Sequence, residues 1–282
     1  MIKLKEYKHL IKQALTEDLG AGDHTSMSCI PSDAIGKAHL LVKQEGIIAG
    51  VEVALEVFKQ VDKSLKVNVF IEDGAKVKLG DIVFIVEGKS QSILIAERLA
   101  LNFMQRMSGI ATHTEYLNSL INSDKTKLLD TRKTTPNNRI FEKMSVKIGG
   151  GENHRYGLYD MVMIKDNHID YAGGISQAIS KTKQYLASKK LDIRIEVEAR
   201  NLIEVETILA SEKVDRIMLD NFSYSDLKQA VTMIGDYAET EASGGITEDT
   251  IAEYAKCGVN YISVGALTHQ IKSLDLSLKA ID

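Results

Sequence analysis

Cysteine is scarce in this chain: Cys29 and Cys257 are the two among 282 residues. Two are too few for a disulfide framework or a cysteine-built metal cluster, and they fit reduced thiols in a cytosolic protein. No Cys/His spacing suggests a zinc site either. Long apolar runs are missing, and Met1 to Lys5 has no apolar core of a secretory signal, so neither a membrane span nor export is expected. Positive charge is not in excess. A net charge of −4 gives no general attraction to nucleic acid or to an anionic membrane. What remains is an ordinary globular composition, 44% hydrophobic and 26% charged, with length for one large or two modest domains.

Against that background one stretch is unusually rich in cations. Asp130 to Ile169 carries Arg132, Lys133, Arg139, Lys143, Lys147, His154, Arg155, Lys165 and His168, interrupted by Gly149-Gly150-Gly151. Arginine offers a planar fork to carboxylate or phosphate, and lysine offers a point charge. Because the whole chain is slightly acidic, such a local cluster suits a small ligand with several anionic groups. A solvated basic face is the plainer alternative. It fits poorly beside Met161-Val162-Met163-Ile164, an apolar run that ends abruptly at Lys165-Asp166-Asn167-His168.

Helical spacing opens the chain over 5–19, and Gly20-Ala21-Gly22-Asp23 reads as a loop that continues through His24 and Thr25. Short apolar runs punctuated by glycine then predict strands at 39–42, 47–49, 67–71 and 82–86, with a helix near 53–60. Residues 92–107 return to helical spacing, Ser108-Gly109 breaks the run, and 110–121 resumes it. Arg98, Asn102 and Gln105 form a polar stripe there, which by itself reads as a solvent-facing side. From 126 onward, strands at 127–130, 161–164, 193–197, 216–219, 238–242 and 261–264 alternate with helices near 176–186, 202–210, 224–233 and 247–255. Alternation of this kind implies parallel strands with right-handed crossovers. Roughly six such units fall short of a full eightfold barrel. The expected fold is therefore α/β: an N-terminal α+β domain over 1–112, then an irregular, incomplete barrel over 113–282 whose C-terminal tail can pack back on the first domain.

With these strands in place the charged residues fall at their C-terminal ends. Asp130 and Arg132, Lys165 and Asp166, Glu198, Asp220, Ser243-Gly244-Gly245 and Gly265 all lie there, where parallel barrels build their sites. Two glycine-bearing turns after the last strands, at Gly244-Gly245 and Gly265, are suited to cradling a phosphate on backbone N–H groups. Glu198 and Asp220 end successive strands, so the pair could hold Mg²⁺ or stabilise a cationic sugar carbon. Glu196 shares a face with Glu198 and competes with it, since side chains alternate with period two.

The motifs DTRKTTP (130–136), GGGENHR (149–155), GLYD (157–160) and IKDNHI (164–169) resemble those of quinolinate phosphoribosyltransferase, the decarboxylating nicotinate-nucleotide pyrophosphorylase family. EDLGAGDHTS (17–26), AERLALNFMQRMSGIAT (96–112), EVEA (196–199), MLDN (218–221), ASGGI (242–246) and SVGALTH (263–269) extend the resemblance over nearly the whole chain. It implies an enzyme of NAD biosynthesis that joins quinolinate to phosphoribosyl pyrophosphate, with Mg²⁺, in a cytoplasmic homodimer with shared active sites or a higher oligomer built from it. By the same resemblance, Arg132, Lys133, His154, Arg155 and Lys165 grip the carboxylates and pyrophosphate, and Arg98 reaches in from the partner subunit. Ser243, Gly244, Gly245 and Gly265 take the ribose phosphate. Glu198, with Asp220, serves the metal and the sugar carbon, and Lys133 and Lys165 join these two as catalytic groups. The chain departs from the family's pattern at Asn137-Asn138, where glycine and an apolar residue are common, and at Met144, where an aromatic is. Three rivals stay open: a molybdenum-transport-associated paralogue acting on another substrate, a Schiff-base aldolase using Lys165, and a non-catalytic sugar-phosphate binder on the same scaffold.

Overall fold

The computed structural model describes residues 6–281. Its elements begin α1 (Lys8–Leu19), α2 (His24–Cys29), β1 (Ile35–Val42), β2 (Gly46–Ile47), α3 (Val51–Val61), β3 (Lys66–Val69), β4 (Lys76–Val77), β5 (Ile82–Lys89) and α4 (Ser90–Ile121). They continue β6 (Lys127–Leu129), α5 (Arg139–Ile148), β7 (Val162–Ile164), α6 (Asp166–Ala172), α7 (Ile175–Lys189), β8 (Ile195–Ala199), α8 (Leu202–Leu209) and β9 (Arg216–Asp220). The last are α9 (Tyr224–Ile234), β10 (Glu239–Ser243), α10 (Ile251–Ala255), β11 (Tyr261–Ser263), α11 (Ala266–His269) and β12 (Leu276–Ile281). The helix expected over 5–19 starts at Lys8; residue 5, like the rest of the Met1 to Lys5 segment read as carrying no secretory signal, lies outside the described residues.

Two compact units result. One holds the chain up to Glu115, Thr134–Gly150 and the segment from Leu267 on; the other holds Tyr116–Lys133 and Gly151–Ala266. The boundary expected at 112 thus shifts into the last part of α4, and Thr134–Gly150, expected within the barrel, folds with the first unit.

In the first unit an antiparallel sheet runs β12-β1-β5-β3. Alternation along β1 buries Ala38, Leu40 and Val42, as a sheet with one packed face requires. The segment at the end of the chain returns to this sheet: β12 pairs with β1 from Val42↔Leu276 to Lys37↔Ile281. α3 buries Ala54, Val57 and Phe58, and Phe58 meets Phe84 of β5 edge to face at 5.7 Å. The segment expected to loop through His24 is instead the short helix α2. Asp23 caps it, its Oδ1 accepting the Ser26 N–H at 3.0 Å, which supplies the partner that an isolated turn would lack.

α4 corrects the expected break at Ser108-Gly109: it is one helix of 32 residues. Here the small residues allow close approach and do not interrupt the helix. Ser108 is fully buried, accepts the Ala49 N–H at 2.9 Å and donates to the Ala49 carbonyl at 3.1 Å. A Cβ on Gly109 would stand 2.4 Å from the Lys272 carbonyl oxygen. Gly109→Val is accordingly expected to destabilise the first unit by about 1–3 kcal/mol, the usual cost of overpacking. A thermal melt followed by circular dichroism checks this, and an unchanged midpoint would refute the packing argument.

α5 folds with this unit because its apolar face fits there. Phe141 packs on Tyr7 (5.5 Å) and Phe103 (4.6 Å), and buried Glu142 pairs with Arg106 at 2.5 Å. The turn before it survives the Asn137-Asn138 departure, since Asn137 takes φ +62°, a left-handed geometry that asparagine tolerates.

In the second unit six parallel strands run β6-β11-β10-β9-β8-β7. β6 and β7 are its edges; among the described residues no strand pair closes one on the other, so the incomplete barrel expected from the sequence is an open parallel sheet. Every residue of β8 is buried, as in strands covered on both faces. Thr247, expected to open a helix, lies in a turn: its N–H donates to Thr250 Oγ1 at 2.9 Å, and α10 starts only at Ile251.

Candidate active site

Period two along the parallel strands puts one set of side chains on one sheet face. On β8 these are Glu196 and Glu198; on β9, Arg216, Met218 and Asp220; on β10, Glu239, Glu241 and Ser243. Their order along the strands sorts them into a buried charged layer and an outer layer at the C-terminal ends.

The outer layer holds most of the expected site. Lys165 ends β7, is half exposed, and sets its Nζ 3.1 Å from Glu198 Oε2; Glu198 is nearly buried. Register pairs Glu198 with Met218, and Asp220 with Ser243. Glu198 and Asp220 therefore sit on one face of adjacent strands, offset by one side-chain repeat. Asp220 Oδ2 accepts the Asn221 side-chain amide at 2.6 Å. Beside it Gly244 takes φ +100° and Gly245 φ +58°. A Cβ on Gly244 would lie 2.2 Å from Asn221 Oδ1, whereas one on Gly245 would meet open space. The turn after β10 is thus tight on one side and open on the other, and Gly265 follows β11 on the neighbouring strand.

Arg132 and Arg155 are the anion receptors of the set. Arg132 Nε is a buried donor with no hydrogen-bond partner among the described residues. Arg155 spends its donors on weak acceptors, the Met161 carbonyl at 3.3 Å and Met163 Sδ at 3.6 Å. Burial, and then the positive charge of Arg132, lower the Arg155 pKa. Two guanidinia that repel one another and have no carboxylate paired to them are prepared for a polyanion. Lys133 follows them, exposed, with its N–H donated to Thr131 Oγ1 at 3.0 Å.

His154 is placed differently from the direct substrate grip expected of it. It is 7% exposed, and both ring nitrogens face protein groups. Nδ1 accepts the Arg155 N–H at 2.7 Å. Nε2 stands 3.0 Å from Glu196 Oε2 and 3.3 Å from Glu241 Oε2. Asp130, fully buried at the end of β6, accepts the His154 N–H at 2.8 Å and the Asn153 side-chain amide at 2.6 Å. Burial opposes a charged ring, but the two carboxylates outweigh it and raise the His154 pKa to about 9. A charged ring carries a proton on Nδ1 and gives up the Arg155 N–H, so the contact seen here belongs to the neutral ring with its proton on Nε2. Burial and the charge of Glu241 raise Glu196 to about 7. Burial also works against an ionised Glu241, yet His154 and Arg216 together bring its pKa below the usual value.

This buried layer is only half visible in the sequence. Sequence reasoning sets Glu196 against Glu198 but misses Glu241 and Arg216. Arg216 pairs with Glu241 at 2.9 Å and Glu239 at 3.2 Å, and its guanidinium lies 4.0 Å above the Tyr261 ring. The alternation Glu-x-Glu at 196 and 198, repeated at 239 and 241, is the signal that could have found them. His154, Glu196 and Glu241 bring three ligand-type atoms within 4.8 Å of one another, a cluster that no Cys/His spacing announces.

Other parts of the cationic stretch belong elsewhere. Arg139, Lys143 and Lys147 lie on α5 in the first unit, and Lys143 is buried there. Arg98 and Asn102 are exposed on α4, as a solvent-facing stripe would be, while Gln105 turns inward and donates to the Leu276 carbonyl at 2.8 Å. His168 Nδ1 accepts the Lys165 N–H at 2.9 Å, which shapes the turn after β7.

Family models for the quinolinate phosphoribosyl transferase N-terminal and C-terminal domains match residues 23–108 and 110–279. A tobacco (Nicotiana tabacum) protein named quinolinate phosphoribosyltransferase [decarboxylating] 1b is 48% identical over 97% of this chain and 82% of its own length. A probable nicotinate-nucleotide pyrophosphorylase [carboxylating] of Bacillus subtilis is 39% identical over 97% and 93%. The solved structure of the nicotinate-nucleotide pyrophosphorylase from Francisella tularensis superposes with a TM-score of 0.93 at 41% identity, covering 100% of this chain and 98% of that one.

Proposed function

Because the chain belongs to the quinolinate phosphoribosyltransferase family, we propose that its strand-end site joins quinolinate to phosphoribosyl pyrophosphate with loss of one carboxylate. The products are nicotinate mononucleotide, pyrophosphate and carbon dioxide, and the reaction feeds NAD synthesis. The observation that carries this reading is the Arg132–Arg155 pair: two guanidinia without carboxylate partners beside Lys165, on a sheet whose other charges are largely balanced.

The roles follow from position. Arg132 and Arg155, with Lys165, take the two adjacent carboxylates of quinolinate, and Lys133 lies at hand for pyrophosphate. The Gly244-Gly245 turn and Gly265 receive the ribose phosphate. As the bond from the anomeric carbon to pyrophosphate breaks, its electron pair leaves with pyrophosphate, and Glu198 and Asp220 offset the positive charge left on the sugar. The pyridine nitrogen then bonds to that carbon and becomes cationic. The positive charge on the ring nitrogen then stabilises the electron pair left on C2 when the neighbouring carboxylate departs as carbon dioxide, and a proton bonds to that pair.

Glu198 and Asp220 are also the residues proposed for Mg²⁺. Two carboxylates on one face are a sufficient protein share for this ion, which otherwise relies on water and substrate phosphate oxygens. When bound, it would neutralise charge on the departing pyrophosphate. A homodimer with Arg98 supplied from the partner subunit, and a cytoplasmic location, complete the proposal. Two unpaired cysteines, Cys29 exposed and Cys257 buried, fit a reducing compartment, and no helix among the described residues is long and apolar enough to cross a membrane.

The aldolase alternative is not supported. A Schiff-base lysine is desolvated and unpaired, whereas Lys165 is half exposed and ion-paired with Glu198. The relatives' names likewise favour quinolinate over the molybdenum-linked alternative. Quinolinate labelled at its 2-carboxylate, incubated with phosphoribosyl pyrophosphate and Mg²⁺, is expected to release labelled carbon dioxide in step with nucleotide. Nicotinate, with one carboxylate, leaves cations of the clamp unpaired and is expected to be a poor substrate. Label retained in the nucleotide, or efficient use of nicotinate, would overturn the assignment.

A further inference from the structure

Beneath the clamp lies a cluster that the proposed chemistry does not use. His154, Glu196 and Glu241 are buried together, and Glu196 has no exposed surface. Two buried carboxylates are a costly way to fill a core, where apolar side chains of similar volume would often be as stable or more so. Their placement gives them a specific task.

The peptide between His154 and Arg155 is held from two directions. On the main-chain side, Asp130 Oδ1 accepts the His154 N–H at 2.8 Å. On the side-chain side, the imidazole accepts the Arg155 N–H at Nδ1 (2.7 Å) and directs Nε2 to Glu196 (3.0 Å) and Glu241 (3.3 Å). The second carboxylate is itself fixed: Arg216 holds Glu241 at 2.9 Å and lies over Tyr261. An unbroken chain of contacts therefore runs from the buried end of the sheet, through Arg216, Glu241 and the imidazole, to the backbone of Arg155. The fixed tautomer matters, because a ring with its proton on Nδ1 could not accept the Arg155 N–H.

We infer that Glu196 and Glu241 are positioning residues for the dicarboxylate clamp, orienting the His154 ring so that it fixes the backbone that carries Arg155. They touch no substrate and act through His154. The inference rests on the reading of Arg132 and Arg155 as the quinolinate clamp. It also accounts for how two guanidinia of like charge are held together. Glu196 adds a favourable charge to Arg155, opposing the repulsion from Arg132. A metal ion in place of this arrangement would have to compete with Arg216 for Glu241, and the Arg216 contact already balances that carboxylate.

Glu196 is the position to change, since Glu241 also anchors Arg216. Glu196→Leu should weaken quinolinate binding, measured by calorimetry, by about tenfold, the order expected from losing one close, buried polar contact that orients the ring. Its KM for phosphoribosyl pyrophosphate should stay within about twofold, since the phosphate turns lie on other strands. Glu196→Gln, which keeps an oxygen facing Nε2, should recover most of the loss. Unaltered quinolinate affinity in a folded Glu196→Leu protein, or equal weakening toward both substrates, would overturn the inference. So would stoichiometric zinc in the purified protein with chelator-sensitive quinolinate binding, which would make the cluster a metal site. Should the leucine variant fail to fold, nitrogen NMR of the imidazole in the unaltered protein, recorded above the pKa of about 9 where the ring is neutral, decides: Nε2 protonated and Nδ1 bare supports the link, and the opposite tautomer breaks it. Absence of wild-type turnover would instead sink the functional reading, while the imidazole spectrum would still report on the His154 link.

Discussion

Replacing either guanidinium of the clamp, as Arg132→Ala or Arg155→Ala, lowers kcat/KM for quinolinate by on the order of 10²-fold or more, while the protein stays folded. The size follows from what each guanidinium gives the ligand: two charge-assisted hydrogen bonds to a carboxylate, each worth about 1.5–3 kcal/mol. The neutral effect on stability follows from what the residues touch. Arg132 has a buried Nε without a partner among the described residues, and Arg155 is bound to a carbonyl and a thioether sulfur. Neither removal strands a buried carboxylate. The charge of Arg132 also disfavours ionised Arg155, so Arg132→Ala relieves a repulsion. A change in stability within about 1 kcal/mol is expected, with Arg132→Ala neutral or slightly stabilising. Steady-state kinetics and circular dichroism on the same samples separate the two effects. Loss of the folded state in both variants would show that these cations serve the fold.

The second large effect is a recovery. Arg98→Ala and Lys165→Ala chains should each be inactive alone, one lacking the cation proposed to come from the partner subunit and the other lacking a strand-end cation. Arg98 is exposed on α4, open to a second chain, whereas Lys165 ends β7. If sites are shared in a twofold dimer, a hybrid carries both defects at one site and none at the other. Random exchange makes half the dimers hybrid, each with one intact site, so activity should return to about a quarter of the wild-type level. Size-exclusion chromatography and native mass spectrometry establish whether hybrids form. Hybrids without activity would refute a shared site and leave Arg98 as a surface residue.

Both experiments use residues that can be selected from the sequence, and the reason is local. Strand–helix alternation from residue 126 on, with charges following each apolar run, is enough to place Lys165, Glu198, Asp220 and the Gly244-Gly245 turn at strand ends. Period two and turn chemistry act over a few residues, so a linear reading captures them. The departure at Asn137-Asn138 is legible for the same reason, because left-handed tolerance belongs to the residue itself.

Other features depend on contacts between distant segments. Ser108-Gly109 reads as a helix break until Ala49 and Lys272 are brought against it, when small size becomes a requirement of packing within a continuous helix. α5 lies inside the cationic stretch in sequence, yet its apolar face finds Tyr7 and Phe103, and those contacts decide the unit to which it belongs. The His154 cluster is the clearest case. By itself the sequence determined that glutamates alternate on two strands and that a histidine precedes Arg155. Only the strand order β10-β9-β8, together with the return of residues 152–154 beside β6, turned those side chains toward one buried point. Hydrogen bonds and ion pairs operate over a few ångströms in space, and that proximity is set by tertiary packing, to which separation along the chain is no guide.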